Sequence, residues 1–123
     1  MAKILVAEDE AMVRLHVAET LRNCGYSVSE AADGQTALEL VRDCPGLDLM
    51  VCDIRLPRLD GFALARSARQ LQPDLGLLFL TGYVRAQPPE DLSPVVIIRK
   101  PFDPDDLVKQ VAEMLDTRRA GSG

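Results

Sequence analysis

Short aliphatic runs alternate with segments of helical periodicity along almost the whole chain. The runs at 3–7, 49–52, 76–80 and 95–98 are mostly apolar and short, which predicts strands buried on both faces. The stretch 26–31 alternates instead, with Ser27 and Ser29 diluting a second strand. Between these runs the apolar spacing becomes helical. Residues 11–24 place Val13, Val17, Thr20, Leu21 and Cys24 inward, and residues 33–42 place Ala37, Leu38 and Val41 inward. Residues 61–71 carry Leu64, Ala65, Ala68 and Leu71 at the same spacing, with Asp60-Gly61 as turn and N-cap. A last helix starts near Asp103 and presents Leu107, Val108, Val111, Met114 and Leu115. Arg14, Arg22, Arg66 and Arg69 fall on outer faces and read as solvated charges.

The fourth connection breaks the rhythm. Pro88, Pro89 and Pro94 remove three backbone donors from the stretch between Tyr83 and Val95, so at most one helical turn fits there. Five strands linked by helices predict an α/β fold, a parallel sheet covered on both faces with right-handed crossovers.

Bulk properties narrow the picture without deciding it. A chain of 123 residues suits one domain, and a net charge of −5 with scattered Lys and Arg lacks the basic stripe of a nucleic-acid binder. No apolar run approaches a transmembrane span. Cys24, Cys44 and Cys52 lack metal-type spacing. Cys24 and Cys52 read as core thiols, as expected of a cytoplasmic protein.

The chemistry gathers where the strands end. In open α/β sheets ligands bind at the carboxyl edge. There the chain places Glu8 and Asp9 after the first strand, Asp53 after the third, Thr81 after the fourth and Lys100 after the fifth. Three carboxylates at one edge repel one another unless a cation sits among them. Hard oxygen donors in small number suit Mg²⁺ or Mn²⁺. A hydroxyl and an ammonium opposite make a cradle for phosphoryl oxygens, and the central Asp53 is then available as a nucleophile.

Together Glu8-Asp9, Asp53 with Pro57 and Gly61 beyond it, Thr81 and Lys100-Pro101-Phe102 resemble the receiver domain of two-component response regulators. The resemblance runs from about Lys3 to Thr117. It implies a flavodoxin-like doubly wound sheet of strand order 2-1-3-4-5, with residues 1–119 as the receiver and 120–123 as a flexible tail. It implies that Asp53 accepts a phosphoryl group from the phosphohistidine of a sensor histidine kinase or a histidine phosphotransfer protein. Asp9 and Asp53 would bind the metal with Glu8 assisting and the Arg55 backbone carbonyl completing the set. Thr81 and Lys100 would hold the transferred group, and the Lys100-Pro101 bond would be cis.

This sequence departs from the family pattern in places. Glu8 stands where many receivers have Asp, and Ile97 stands where a switch aromatic is usual. Tyr83 is the candidate aromatic in its place. A degenerate receiver that acts as a scaffold stays open as a reading. A haloacid-dehalogenase-type hydrolase would need an acid at Arg55, and a flavin or nucleotide binder would need a phosphate loop in place of Glu8-Asp9-Glu10. The expected state is a monomer when unphosphorylated, with an unknown output protein reading a change in the loop 83–94.

Overall fold

In a computed structural model the chain is described over residues 1–82 and 87–122, with side chains through residue 117. The strands are β1 (Lys3–Ala7), β2 (Ser27–Ala31), β3 (Leu49–Asp53), β4 (Gly76–Thr81) and β5 (Val96–Arg99). Between and after them run α1 (Ala11–Arg22), α2 (Gly34–Asp43), α3 (Gly61–Leu71) and α4 (Pro104–Ser122). All strand pairs are parallel and the order is β2-β1-β3-β4-β5. This is the flavodoxin-like arrangement expected from the sequence.

The period-two rule of strands divides the core into two layers. Leu5, Met50, Cys52, Leu77 and Phe79 face α2 and α3, while Ile4, Val6, Leu49, Val51, Leu78 and Leu80 face α1 and α4. All five residues of β3 are buried. Burying each large aliphatic side chain contributes about 1.5–3 kcal/mol. The central strand, which ends in Asp53, is therefore among the most firmly fixed parts of the molecule. Asp33 and Asp60 cap α2 and α3 by accepting from backbone N–H groups in their first turns.

The fourth connection carries one 3₁₀ turn, Glu90–Leu92, among its described residues. Two arginines hold it to α3. Arg66 donates to both carboxylate oxygens of Asp91, at 2.9 and 3.3 Å, and Arg69 donates to the Leu92 carbonyl at 2.7 Å. Leu92 itself is buried in the layer beneath α2 and α3.

Several local expectations are corrected. Cys24 is exposed, because α1 ends at Arg22 and Cys24 lies in the turn that follows. Leu71 is 46% exposed. It is the last residue of α3, and there the chain turns so that Gln72 can bond the carbonyls of Val41 and Cys44 and the Leu47 N–H. Nor are the four arginines merely solvated. Besides Arg66 and Arg69, Arg14 donates to the Glu8 carbonyl and pairs with Glu30, and Arg22 donates to the Val28 carbonyl and pairs with Glu30. The last helix extends to Ser122, into the stretch read from the sequence as a tail.

Candidate functional site

The parallel strands deliver their carboxyl ends to one edge, and the chemistry-bearing residues meet there. Glu8 follows β1, its N–H bonded to the Ala31 carbonyl of β2 at 3.0 Å. Asp53 closes β3 and Thr81 closes β4. Lys100 follows β5, and its backbone N–H donates to the Thr81 carbonyl at 2.8 Å, which extends the ladder one residue toward the site. The Lys100-Pro101 peptide is cis.

Lys100 holds the centre together. Its Nζ donates to Asp53 Oδ2 at 2.8 Å and to Glu8 Oε2 at 2.9 Å. The second oxygen of each carboxylate is also engaged. Glu10 N–H donates to Glu8 Oε1 at 3.2 Å, and Arg55 N–H donates to Asp53 Oδ1 at 3.1 Å. Glu8, Asp53 and Thr81 are buried, and Asp9 is exposed at the mouth. Asp9, Glu10, Asp53, Arg55, Gly82 and Lys100 line a depression of about 350 Å³.

Burial pushes the Glu8 carboxyl up to about 7, with Asp53 adding to the rise and Lys100 opposing it. Burial alone would lower the Lys100 ammonium, but the bonds to Asp53 and Glu8 outweigh it and the net shift is upward. The Cys52 thiol beside Asp53 is pushed well above its ordinary range by burial and the surrounding carboxylates, and so stays protonated.

A divalent cation suits this donor set. Glu8, Asp9 and Asp53 can each offer an oxygen within 4.8 Å of the others. One ammonium against three carboxylates leaves a formal charge of −2 when all are ionised. Hard oxygen donors, few in number and open to solvent on one side, match Mg²⁺ or Mn²⁺.

The sequence-derived residues Glu8, Asp9, Asp53, Thr81 and Lys100 are thus at one edge, with Arg55 beside them. Ile97 lies apart, half-buried in β5 against the layer that holds Phe79. Tyr83 lies outside the described residues. Two contributors escaped the sequence reading: Arg14, whose guanidinium holds the Glu8 carbonyl at 3.0 Å, and the Glu10 N–H. Neither leaves a sequence signal, because both act on backbone or through backbone.

A strand-order 2-1-3-4-5 sheet with an acidic edge and a bridging lysine is the arrangement of a receiver-type signalling fold, and comparison with known proteins agrees. Residues 4–112 match the response regulator receiver domain family, and the chain belongs to it. Receivers of this family are modules of two-component signalling. Over 118 residues the chain is 36% identical to the response regulator receiver protein CpdR of Brucella abortus, covering 94% of this chain and 98% of that one. It is 35% identical over 119 residues to the sensor kinase CckA of the same organism, covering 94% of this chain but 13% of the kinase. The crystal structure of the receiver domain of the hybrid histidine kinase CckA superposes with a TM-score of 0.82 at 34% identity, over 93% of this chain and 99% of that one. A CheY-like receiver of Methanospirillum hungatei gives 0.87 at 26% identity, over 98% of both chains.

Proposed function

We propose that this receiver takes a phosphoryl group onto Asp53 from the phosphohistidine of a sensor histidine kinase or a histidine phosphotransfer protein, and that the phosphorylated form changes its affinity for an output protein. The observation that carries this reading is the pairing of Asp53 with Lys100 at 2.8 Å inside a cluster of two further carboxylates at the sheet edge. An Asp53 carboxylate oxygen attacks phosphorus, the P–O bond forms as the P–N bond breaks, and the imidazole leaves with the electron pair. Lys100 then exchanges a carboxylate partner for a phosphoryl oxygen, and the Thr81 hydroxyl at the adjoining strand end supplies a second donor. Glu8, Asp9, Asp53 and the Arg55 carbonyl would hold Mg²⁺ or Mn²⁺, which neutralises charge between carboxylate and phosphoryl oxygens when bound. No second acid stands two residues after Asp53, where Arg55 lies, so a hydrolase with a free substrate is the poorer reading. Catalysis is confined to the protein's own phosphorylation and dephosphorylation. Intact mass after incubation with acetyl phosphate and Mg²⁺ tests the proposal. One added phosphoryl group supports it, and an unchanged mass overturns it.

The donor protein docks beside the site. Met12 is 80% exposed on the first turn of α1. It shares a shallow depression of about 480 Å³ with Val13, His16, Lys100, Pro101 and Phe102. An apolar rim next to an acidic centre suits a helix that carries a histidine. Met12→Asp is expected to slow transfer from a phosphorylated donor while leaving acetyl phosphate labelling unchanged. Equal slowing with both donors would place the fault in the site and not in docking.

The protein is cytoplasmic and monomeric in this reading. Receivers that dimerise when phosphorylated commonly do so through a helix in the fourth connection together with the fifth strand and the last helix, and here the described residues of that connection offer one 3₁₀ turn. Light scattering is expected to show a monomer with and without a phosphoryl mimic. A tight phosphorylation-dependent dimer would contradict this.

A further inference from the structure

The loop between β3 and α3 carries Arg55 past the site and is gripped from two sides. On the α3 side, Gly61 N–H donates to the Ile54 carbonyl at 2.8 Å, and a Cβ at residue 61 would overlap the Asp53 carbonyl oxygen and stand 2.9 Å from Ile54 Cα. On the other side the loop rests on the start of α2. Gly34 N–H donates to the Pro57 carbonyl at 3.2 Å. A Cβ at residue 34 would overlap the Leu59 carbonyl oxygen and stand 2.6 Å from Leu59 Cβ and 2.9 Å from its carbonyl carbon. Glycine alone permits both approaches.

What sits on Gly34 is a strained turn. Leu59 N–H donates to the Pro57 carbonyl at 2.8 Å, an i to i+2 bond, and Arg58 between them has φ 72°. This is the γ-turn of the unfavourable hand, which persists only where the surroundings over-determine it. The Pro57 carbonyl accepts from both Leu59 and Gly34, so the second bond ties the strained turn to a helix that belongs to another part of the fold.

Resting on the phosphoacceptor reading above, we propose that Gly34 is a positioning residue for the site: by seating the Pro57–Leu59 turn it sets where the Ile54–Leu56 segment, and with it the Arg55 carbonyl, stands relative to Asp53. The relay is short. Asp53 Oδ1 accepts the Arg55 N–H, and Gly61 presses on the Asp53 backbone with no room to spare. A loop pushed outward at residue 59 therefore cannot recoil at residue 61. It moves at residues 54–57, which line one depression with Asp9. A shift of about 1 Å in a reacting assembly costs on the order of 100-fold in rate.

The test compares wild type, Gly34→Ala, and Gly34→Ala in an Arg58→Gly background, where a glycine at the strained turn lets the chain fold around the added methyl group. Calorimetry with Mg²⁺ alone reads the metal site without any phosphoryl donor, so the result stands even if wild type proves not to be phosphorylated. Both variants are expected to fold and to bind Mg²⁺ roughly 10-fold more weakly, the scale of an outer-shell defect. Where wild type is labelled by acetyl phosphate, labelling at saturating Mg²⁺ is expected to fall on the order of 10- to 100-fold. A merely structural role for Gly34 predicts a changed melting temperature with unchanged Mg²⁺ affinity. A folded Gly34→Ala protein, in either background, with wild-type Mg²⁺ affinity would overturn the proposal.

Discussion

Asp53→Asn is expected to abolish labelling by acetyl phosphate and by any phosphohistidine donor, while leaving the fold intact. The amide has nearly the shape of the carboxylate, and its one carbonyl oxygen can still accept from either the Arg55 N–H or Lys100, so β3 and its pairing with β1 and β4 are expected to persist. What it lacks is the anionic oxygen that attacks phosphorus. Asp9 is no substitute, since it is exposed at the mouth while Lys100 is bonded to Asp53 and Glu8. Glu8 is fully buried and, with its carboxyl raised to about 7, is substantially protonated near neutrality. Mass spectrometry of the intact variant checks this. Any phosphoryl adduct that survives the substitution would mean that another side chain is the acceptor.

The second large effect concerns Lys100 and depends on pH. Glu8 titrates near 7 in the folded, metal-free protein against an ordinary value of 4.5. Folding therefore takes up a proton between those values. Stability from this group is complete below about 4.5 and is lost as the pH rises through about 7, by roughly 3 kcal/mol at most. Lys100→Met removes the cation that opposes the rise, so Glu8 moves higher still and the loss extends to more alkaline pH. Above that window the variant holds two carboxylates face to face with no counter-charge, and breaking a buried pair in this way costs about 3–5 kcal/mol. At pH 5 Glu8 is protonated and can donate to Asp53, so the penalty is smaller. Thermal melts of metal-free protein at pH 5 and pH 8 should therefore diverge far more for Lys100→Met than for wild type. Mg²⁺ should recover much of the loss at pH 8, because it replaces the missing charge. Equal destabilisation at both pH values would show that the lysine matters for packing and not for the carboxylates.

What the sequence made legible, and what it hid, follows the range of the interactions. β3 could be read because a strand buried on both faces shows as an unbroken apolar run that ends abruptly in Asp53. The strand-end residues could be read because a parallel sheet forces successive carboxyl ends to one edge, whatever the details between them. Cys24 and Leu71 were misplaced for one reason. Helical periodicity in the sequence does not mark where a helix ends: Cys24 lies beyond Arg22, and Leu71 is the last residue of α3, where the chain turns away. The arginines find carbonyl and carboxylate partners on other elements, Arg69 reaching Leu92, Arg66 reaching Asp91 and Arg14 reaching back to Glu8. No hydropathy pattern encodes such pairs. Gly34 and Gly61 are visible as letters, but the close approaches that require them are visible only once α2, α3 and the loop are assembled.

The fourth connection has a consequence for how this protein can be altered. Its hold on the body of the domain comes from Leu92 below and from Arg66 and Arg69 at the side, all acting on Asp91 and Leu92. Gln87 and Glu90, upstream of those anchors, are exposed. Changes of spelling or length in an exposed connection leave the layers beneath it in place, and the added closure cost grows only slowly with length. A descendant lineage, or an engineer, can thus rewrite what this segment says to other molecules while the acidic edge and its lysine are copied unchanged. The domain separates a fixed chemical core from an editable address label.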